Sequence, residues 1–159
     1  EETDAMIDFA IARAAADGVS FFAAEHKESG RLVGWLGLGR IPEEVRAVLR
    51  GAPEMEIGWQ FAKEFWGQGL APEGACAWLD YGFRILKLPE IVAYTYSGNA
   101  PSRRVMEKLG MTRDADDDFQ YPRLPEGHPF RPHVLYRINP HVHPSIQQGG
   151  GRARGGRSH

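Results

Sequence analysis

The spacing of apolar positions changes several times along the chain, and each change marks an element. Met6, Phe9, Ala10 and Ala14 recur at helical spacing behind Thr3, an N-cap residue type, with Asp4 in the first turn and Gly18 as the stop. Val19–His26 is rich in apolar and aromatic residues and predicts a strand. Lys27-Glu28-Ser29-Gly30 supplies a turn, and Arg31–Arg40 predicts a second strand, so the two make a hairpin. Gly34, Gly37 and Gly39 weaken that strand and predict a bulge or a close backbone neighbour. Pro42–Arg50 reads as a short helix or loop, and Met55–Phe61 as the next strand. Leu70–Leu86 is the strongest helix, with Ala71, Ala75, Trp78, Leu79, Gly82, Ile85 and Leu86 as one apolar stripe. Ile91–Tyr96 predicts a strand, and Ala100–Leu109 a helix stopped by Gly110. A strand near Met111, a Pro-rich loop and a last strand over His133–Ile138 complete the order. The fold class is α+β (mixed α/β), built around one sheet.

The balance of 42% hydrophobic and 25% charged residues suits one compact domain. A net charge of -2 and a pI near 6.3 exert no pull toward nucleic acid or an anionic membrane. A single cysteine, Cys76, excludes an intramolecular disulfide and fits a reducing, cytoplasmic setting. No apolar run approaches the roughly 20 residues that span a bilayer. One domain is expected over residues 1–140, and residues 141–159 as a disordered Gly/Arg-rich tail. Within it, Gln147–His159 holds five glycines and three arginines. That stretch reads as a solvated tail rather than a nucleic-acid contact, and an RNA-associated role would rest on it alone.

Trp66-Gly67-Gln68-Gly69-Leu70-Ala71 links a strand to the long helix. Small residues at 67, 69 and 71 let a ligand approach the backbone, and a helix start offers unpaired N–H groups to a phosphate. Taken alone, the loop is equally a tight strand-to-helix turn. A dinucleotide fingerprint lacks its acidic residue about 20 positions on, and a Walker loop lacks Lys-Ser or Lys-Thr.

Two blocks carry a resemblance. Glu56-Ile57-Gly58-Trp59, then Phe65 to Glu73, then Ala77 to Phe83 resembles the central motif of RimJ/RimL-like GNAT acetyltransferases. Gly98-Asn99-Ala100-Pro101-Ser102 through Lys108-Leu109-Gly110-Met111 resembles that branch's Asn-x-x-Ser-x-x-x-x-x-Lys-x-Gly segment. The resemblance covers Val19 to Ile138. It implies a GNAT-like acyl-CoA N-acyltransferase fold, a mostly antiparallel central sheet flanked by helices. It also implies an enzyme that passes an acetyl group from acetyl-CoA, with no metal, to a primary amine on a protein N-terminus or a small molecule. A catalytically silent acyl-CoA-binding module is the alternative. The strand and helix that open the family's fold are not found before Thr3. Residues upstream of Glu1 are therefore expected, in preference to a homodimer across the first strand's edge or to charged guards at Glu25, Lys27 and Glu28.

The same resemblance implies site residues. Trp59, Gln60 and Phe61 line the pantetheine by main-chain pairing, Trp66 through Ala71 cradle the pyrophosphate, and Lys108 closes the cofactor set. Glu56 is the implied base, with Glu54 in reserve. By strand alternation Glu56 shares a face with Gly58 and Gln60, where an ordinary solvated carboxylate is the competing reading. Asn99 and Ser102 are implied beside the pantetheine and sulfur, with Ser102 as acid. Capping explains Asn99 equally well, and Tyr136 is a rival acid that core packing also explains. Cys76 is not expected as a nucleophile, nor His141 and His143 as metal ligands.

Overall fold

Odd and even positions of the central strands go to different layers, and that alternation organises the structure. The computed structural model describes residues 2–143. Its elements are α1 (Glu2–Asp17), β1 (Phe21–His26), β2 (Arg31–Arg40), α2 (Glu43–Arg46), β3 (Met55–Phe61), α3 (Leu70–Arg84), β4 (Ile91–Tyr96), α4 (Ala100–Lys108), β5 (Thr112–Arg113), β6 (Phe119–Gln120) and β7 (Pro132–Ile138). The strands form one sheet in the order β1-β2-β3-β4-β7-β5, with β6 also on β7. Five of the six pairings are antiparallel, and only β3 with β4 is parallel. This is the mixed, mostly antiparallel sheet flanked by helices that the sequence implies.

One face carries the main core. Ile57 of β3, Ile91 and Ala93 of β4, and Val134 and Tyr136 of β7 pack with Ala75 and Leu79 of α3 and Met106 of α4. The intervening residues face the other way, where Val92 and Leu135 join Val45 and Leu49 of the α2 segment and Phe119 of β6. Val92 and Ile91 are both fully buried, so β4 is covered on both sides. Asp117 is only 4% exposed and lies between Arg50 and Arg137, each 2.6 Å away. These ion pairs fix the loop that carries β6.

Several details depart from the sequence reading. Thr3 lies inside α1 rather than capping it. From Ile7 onward no residue of α1 is buried, and Phe9 is 65% exposed, so the helix does not bury Phe9 as its spacing predicts. β1 starts at Phe21 because the buried Val19 and Ser20 still belong to the approach. α3 ends at Arg84, and beyond it Ile85 turns outward while Phe83 takes its place in the core. The Pro-rich loop holds a 3-10 turn over Ala115–Asp117 and the two-residue β6, both too short to leave a periodic signal. β1 does lie at the sheet edge, with Glu25, Lys27 and Glu28 exposed near its end. Residues 141–143 lie within the stretch read as tail, yet His143 is buried against the Phe83 ring, 5.6 Å between centroids. Residues 144–159 lie outside the described residues.

The glycines of β2 meet close neighbours, as their number predicts. A Cβ on Gly34 would sit 2.0 Å from the Gln60 carbonyl oxygen, and one on Gly37 2.0 Å from that of Ser20. A Cβ on Gly39 meets only the Phe21 ring, at 3.0 Å. The irregularity itself falls in β1, between Ala24 and Glu25. Gly37→Ala is therefore expected to destabilise by roughly 1–3 kcal/mol, and by more than Gly39→Ala, whose ring neighbour can rotate. Urea unfolding of the two variants checks this; equal losses would show that the Ser20 backbone moves as easily as a side chain.

Candidate functional site

β3 and β4 touch in register at one position, Glu56 opposite Val92. Beyond it β3 continues against β2, with Gly58 opposite Gly37 and Phe61 opposite Gly34. β4 meanwhile turns to β7, with Tyr94 opposite Leu135 and Tyr96 opposite His133. The two strands thus diverge, and the open side of β3 from Gly58 to Phe61 faces two cavities instead of a partner strand.

The first is a groove of about 700 Å³ between β3, the start of α3 and α4. Trp59, Gln60, Phe61, Trp66, Gly67, Gly69, Leu70, Ala71, Asn99, Ser102 and Lys108 all line it. Gln68 alone of the implied cofactor set does not; its side-chain amide donates to the Glu64 carbonyl at 3.1 Å. Gly67 and Gly69 take φ of 77° and 80°, in the left-handed region that favours glycine, and open space lies where a Cβ would point. Gly69 is the N-cap of α3, so the N–H groups of Leu70 and Ala71 have no acceptor within the helix. Trp66 is half exposed, and its indole N–H donates to the Phe61 carbonyl at 2.8 Å, which ties the loop to the end of β3. Arg104, four residues ahead of Lys108 on α4, lines the same wall. The sequence motifs did not single it out, although its helical spacing from Lys108 was a usable signal.

The second cavity, about 470 Å³, opens on the other side of the divergence and contains Glu56. The two share Trp35, Trp59, Asn99 and Ser102 as a common wall. Glu56 is half-buried. It lies on the sheet face of Val92 and Tyr94, beneath Tyr121 and Arg123. Burial pushes its pKa from 4.5 up to about 7, and a hydrogen bond from the Tyr94 hydroxyl and the nearby Arg123 charge only partly oppose that rise. Burial and the Glu56 carboxylate in turn hold the Tyr94 phenol well above its ordinary range, so it stays a donor. A carboxyl group with a pKa near neutrality can take a proton and release it under ordinary conditions.

The other implied residues are distributed as follows. Asn99 caps α4: its Oδ1 accepts from the Ser102 N–H at 3.3 Å, and its Nδ2 donates to the Thr95 hydroxyl at 2.8 Å. Ser102 lies on the common wall, in the first turn of α4. Tyr136 is buried in the main core, where its hydroxyl donates to Glu107 at 3.0 Å and accepts from Arg103 at 3.3 Å. It lines neither cavity, and packing accounts for it. Glu54 lies outside both cavities, 3.6 Å from Arg40. Burial and the nearby Asp80 charge raise the Cys76 thiol, the opposite of what a nucleophile needs. Among the described residues, no group of three or more His, Cys, Asp or Glu could hold a metal ion. No helix among them is long and apolar enough to cross a membrane.

A model of the acetyltransferase (GNAT) domain matches residues 1–112. The uncharacterized protein YkkB of Bacillus subtilis (strain 168) is 40% identical over 94 residues, covering 59% of this chain and 51% of YkkB. The uncharacterized N-acetyltransferase YnaD of the same organism is 38% identical over 88 residues, covering 55% of this chain and 50% of YnaD. The chain thus spans about half the length of these curated relatives. In three dimensions it is similar to Mycobacterium smegmatis RimJ in complex with CoA-disulfide, with a TM-score of 0.70 at 24% identity over 95% of this chain and 69% of that one. At that identity the likeness is one of fold.

The half-buried Glu56 has a measurable signature. Below about pH 4.5 it is protonated in folded and unfolded chains alike, and its contribution to stability is fully present. As pH rises through 7, the unfolded chain has already ionised while the folded one ionises against burial, so stability is lost. The shift corresponds to about 3 kcal/mol. Glu56→Gln is expected to be more stable than the unsubstituted chain at pH 8, by up to about that amount, and no more stable at pH 4. Denaturant unfolding at the two pH values checks it; a gap that does not change with pH would show Glu56 to be solvated.

Proposed function

The chain belongs to the acetyltransferase (GNAT) family, and from that premise we propose that it moves an acetyl group from acetyl-CoA to a primary amine by direct attack, with Glu56 as general base. The observation that carries this reading is the meeting of two cavities at one wall, where Trp59 and Ser102 border both. One has the shape and backbone donors for a CoA thioester, and the other holds a carboxyl group that titrates near neutrality.

In this reading the pantetheine arm lies along the open side of β3, at Trp59, Gln60 and Phe61. The N–H groups of the loop from Gly67 to Ala71 receive the pyrophosphate, and Lys108 and Arg104 supply positive charge. The acceptor enters as an ammonium through the second cavity. Glu56 takes its proton, directly or through one water, while Tyr94 steadies the carboxylate. The amine nitrogen then forms a bond to the thioester carbon, the carbon–sulfur bond breaks, and the second proton shed by the nitrogen ends on the leaving sulfur as the CoA thiol. The Ser102 hydroxyl is the candidate donor to the leaving thiolate. Asn99 acts through the α4 cap, which holds Ser102 at the wall. Residues 1–140 form the unit assigned to this activity. The single cysteine fits a reducing, cytoplasmic setting.

Two measurements test the reading. Calorimetry should show acetyl-CoA binding near micromolar, roughly 8 kcal/mol. Gly69→Asp should abolish it, since it adds strain at φ 80° and a negative charge beside the pyrophosphate. Lys108→Glu, on an exposed helix position, should weaken binding while the thermal melting curve stays unchanged. No binding at millimolar acetyl-CoA would sink the proposal. In the second, Glu56→Gln should lower the acetylation rate roughly 10²–10⁴-fold with acetyl-CoA affinity nearly unchanged. Unaltered turnover from pH 6 to 9 would remove Glu56 from the mechanism.

A further inference from the structure

We propose that the acceptor is a primary amine that also carries an anionic group, and that the Arg123 guanidinium receives that group. The inference rests on the acetyl-transfer reading above and concerns the same cavity. Its case begins with the charges that line the cavity: Arg13, Arg40 and Arg123 against Asp17 and Glu56. Asp17 already accepts from both other arginines, at 3.1 Å from Arg13 and 3.2 Å from Arg40. Glu56 is committed to the reacting amine. A polyamine would bring a second ammonium, and the lining offers that charge no carboxylate of its own.

Arg123 is placed differently from the other two arginines. Its Nε and Nη2 lie 2.7 and 2.6 Å from Glu44 Oε1, and a further donor reaches the Tyr121 hydroxyl. A guanidinium has five N–H donors, so this arrangement orients the fork and leaves donors over. Its charge is felt by Glu56. An acceptor with its amine at Glu56 therefore meets, nearby, a guanidinium whose charge Glu44 partly offsets but whose remaining N–H donors suit a carboxylate or phosphate and offer nothing to a second ammonium. Among the cavity's lining, the Phe21 and Trp35 rings, 5.2 Å apart, offer an apolar wall to the body of the molecule. Tyr121 and Arg123 lie beyond the segment that the family model matches. This preference is thus read from the chain's own residues and not from the shared domain.

The test is a competition among four amines with the full chain and acetyl-CoA: L-phenylalanine, O-phosphoethanolamine, L-phenylalaninamide and spermidine. A carboxylate and a phosphate engage a guanidinium alike, and the first two arms separate them. The amide is the stringent control, because its amine loses a proton more readily and chemistry alone favours it. Thiol release should give at least one of the anionic amines a kcat/KM roughly tenfold to a hundredfold above both the amide and spermidine. Arg123→Glu should collapse or invert that ratio, and Arg123→Lys should keep part of it. Because the readout is a ratio within one variant, any change in the basicity of Glu56 cancels. Equal or better use of the amide or spermidine overturns the inference, as does a ratio unchanged in Arg123→Glu. Acetylation of none of the four, with acetyl-CoA still bound in calorimetry, overturns it too. Loss of acetyl-CoA binding in the unsubstituted chain is a separate result, which removes the acetyl-transfer reading beneath it.

Discussion

The divergence of β3 and β4 after a single registered pair is the constraint on which the rest of the site depends. A strand in the middle of a sheet ordinarily gives both edges to its neighbours, and a buried backbone group left without a partner is costly. Here β3 keeps its pairing to β2 through Phe61 but faces cavities on the other side. On that side the Phe61 carbonyl is taken by the Trp66 indole N–H. α4 enters through the same gap, and its cap, with Asn99 bound to both Thr95 and the Ser102 N–H, holds the helix start at the point of separation. One topological feature therefore creates the first groove, the second cavity and the wall between them.

The second dependence is electrostatic. Glu56 faces the α2 side of the sheet, beside Val92, Tyr94 and Tyr121, which partly cover it. This burial works against the folded chain at neutral pH, and it also keeps the carboxyl group ready to exchange a proton. The placement is thus destabilising as structure, a cost of the kind that functional sites carry. The Tyr94 hydrogen bond and the Arg123 charge moderate the effect, so Glu56 titrates near 7 and not far above it.

Much of this was legible in the sequence, and the exceptions have physical reasons. β2, β3 and β4 were read with their observed bounds, because strong alternation or continuous apolar runs bounded by Gly and Pro leave little freedom. The loop at Gly67 and Gly69 was legible because left-handed backbone is costly for other residues, so glycine records it. Tyr94, Tyr121 and Arg123 were not. They come from a strand and a Pro-rich loop with no shared motif, and only the pairing of β4, β6 and β7 brings them to Glu56. Phe9 and Ile85 misled in a common way: periodicity reports which face is apolar, not whether anything covers it. Asn99 shows the opposite ambiguity, since one residue type serves both a cap and a polar contact.

The walls of the two cavities have separate origins along the chain. The donor groove is built almost wholly from β3, the α3 loop and α4, whereas the second cavity also draws on α1, the approach to β1, and the 121–123 segment. Apart from the common wall, substitutions in these outlying segments alter the second cavity while the first groove keeps its lining residues. The two cavities are therefore separable parts: a lineage built on this chain is free to reshape one without touching the rest of the other.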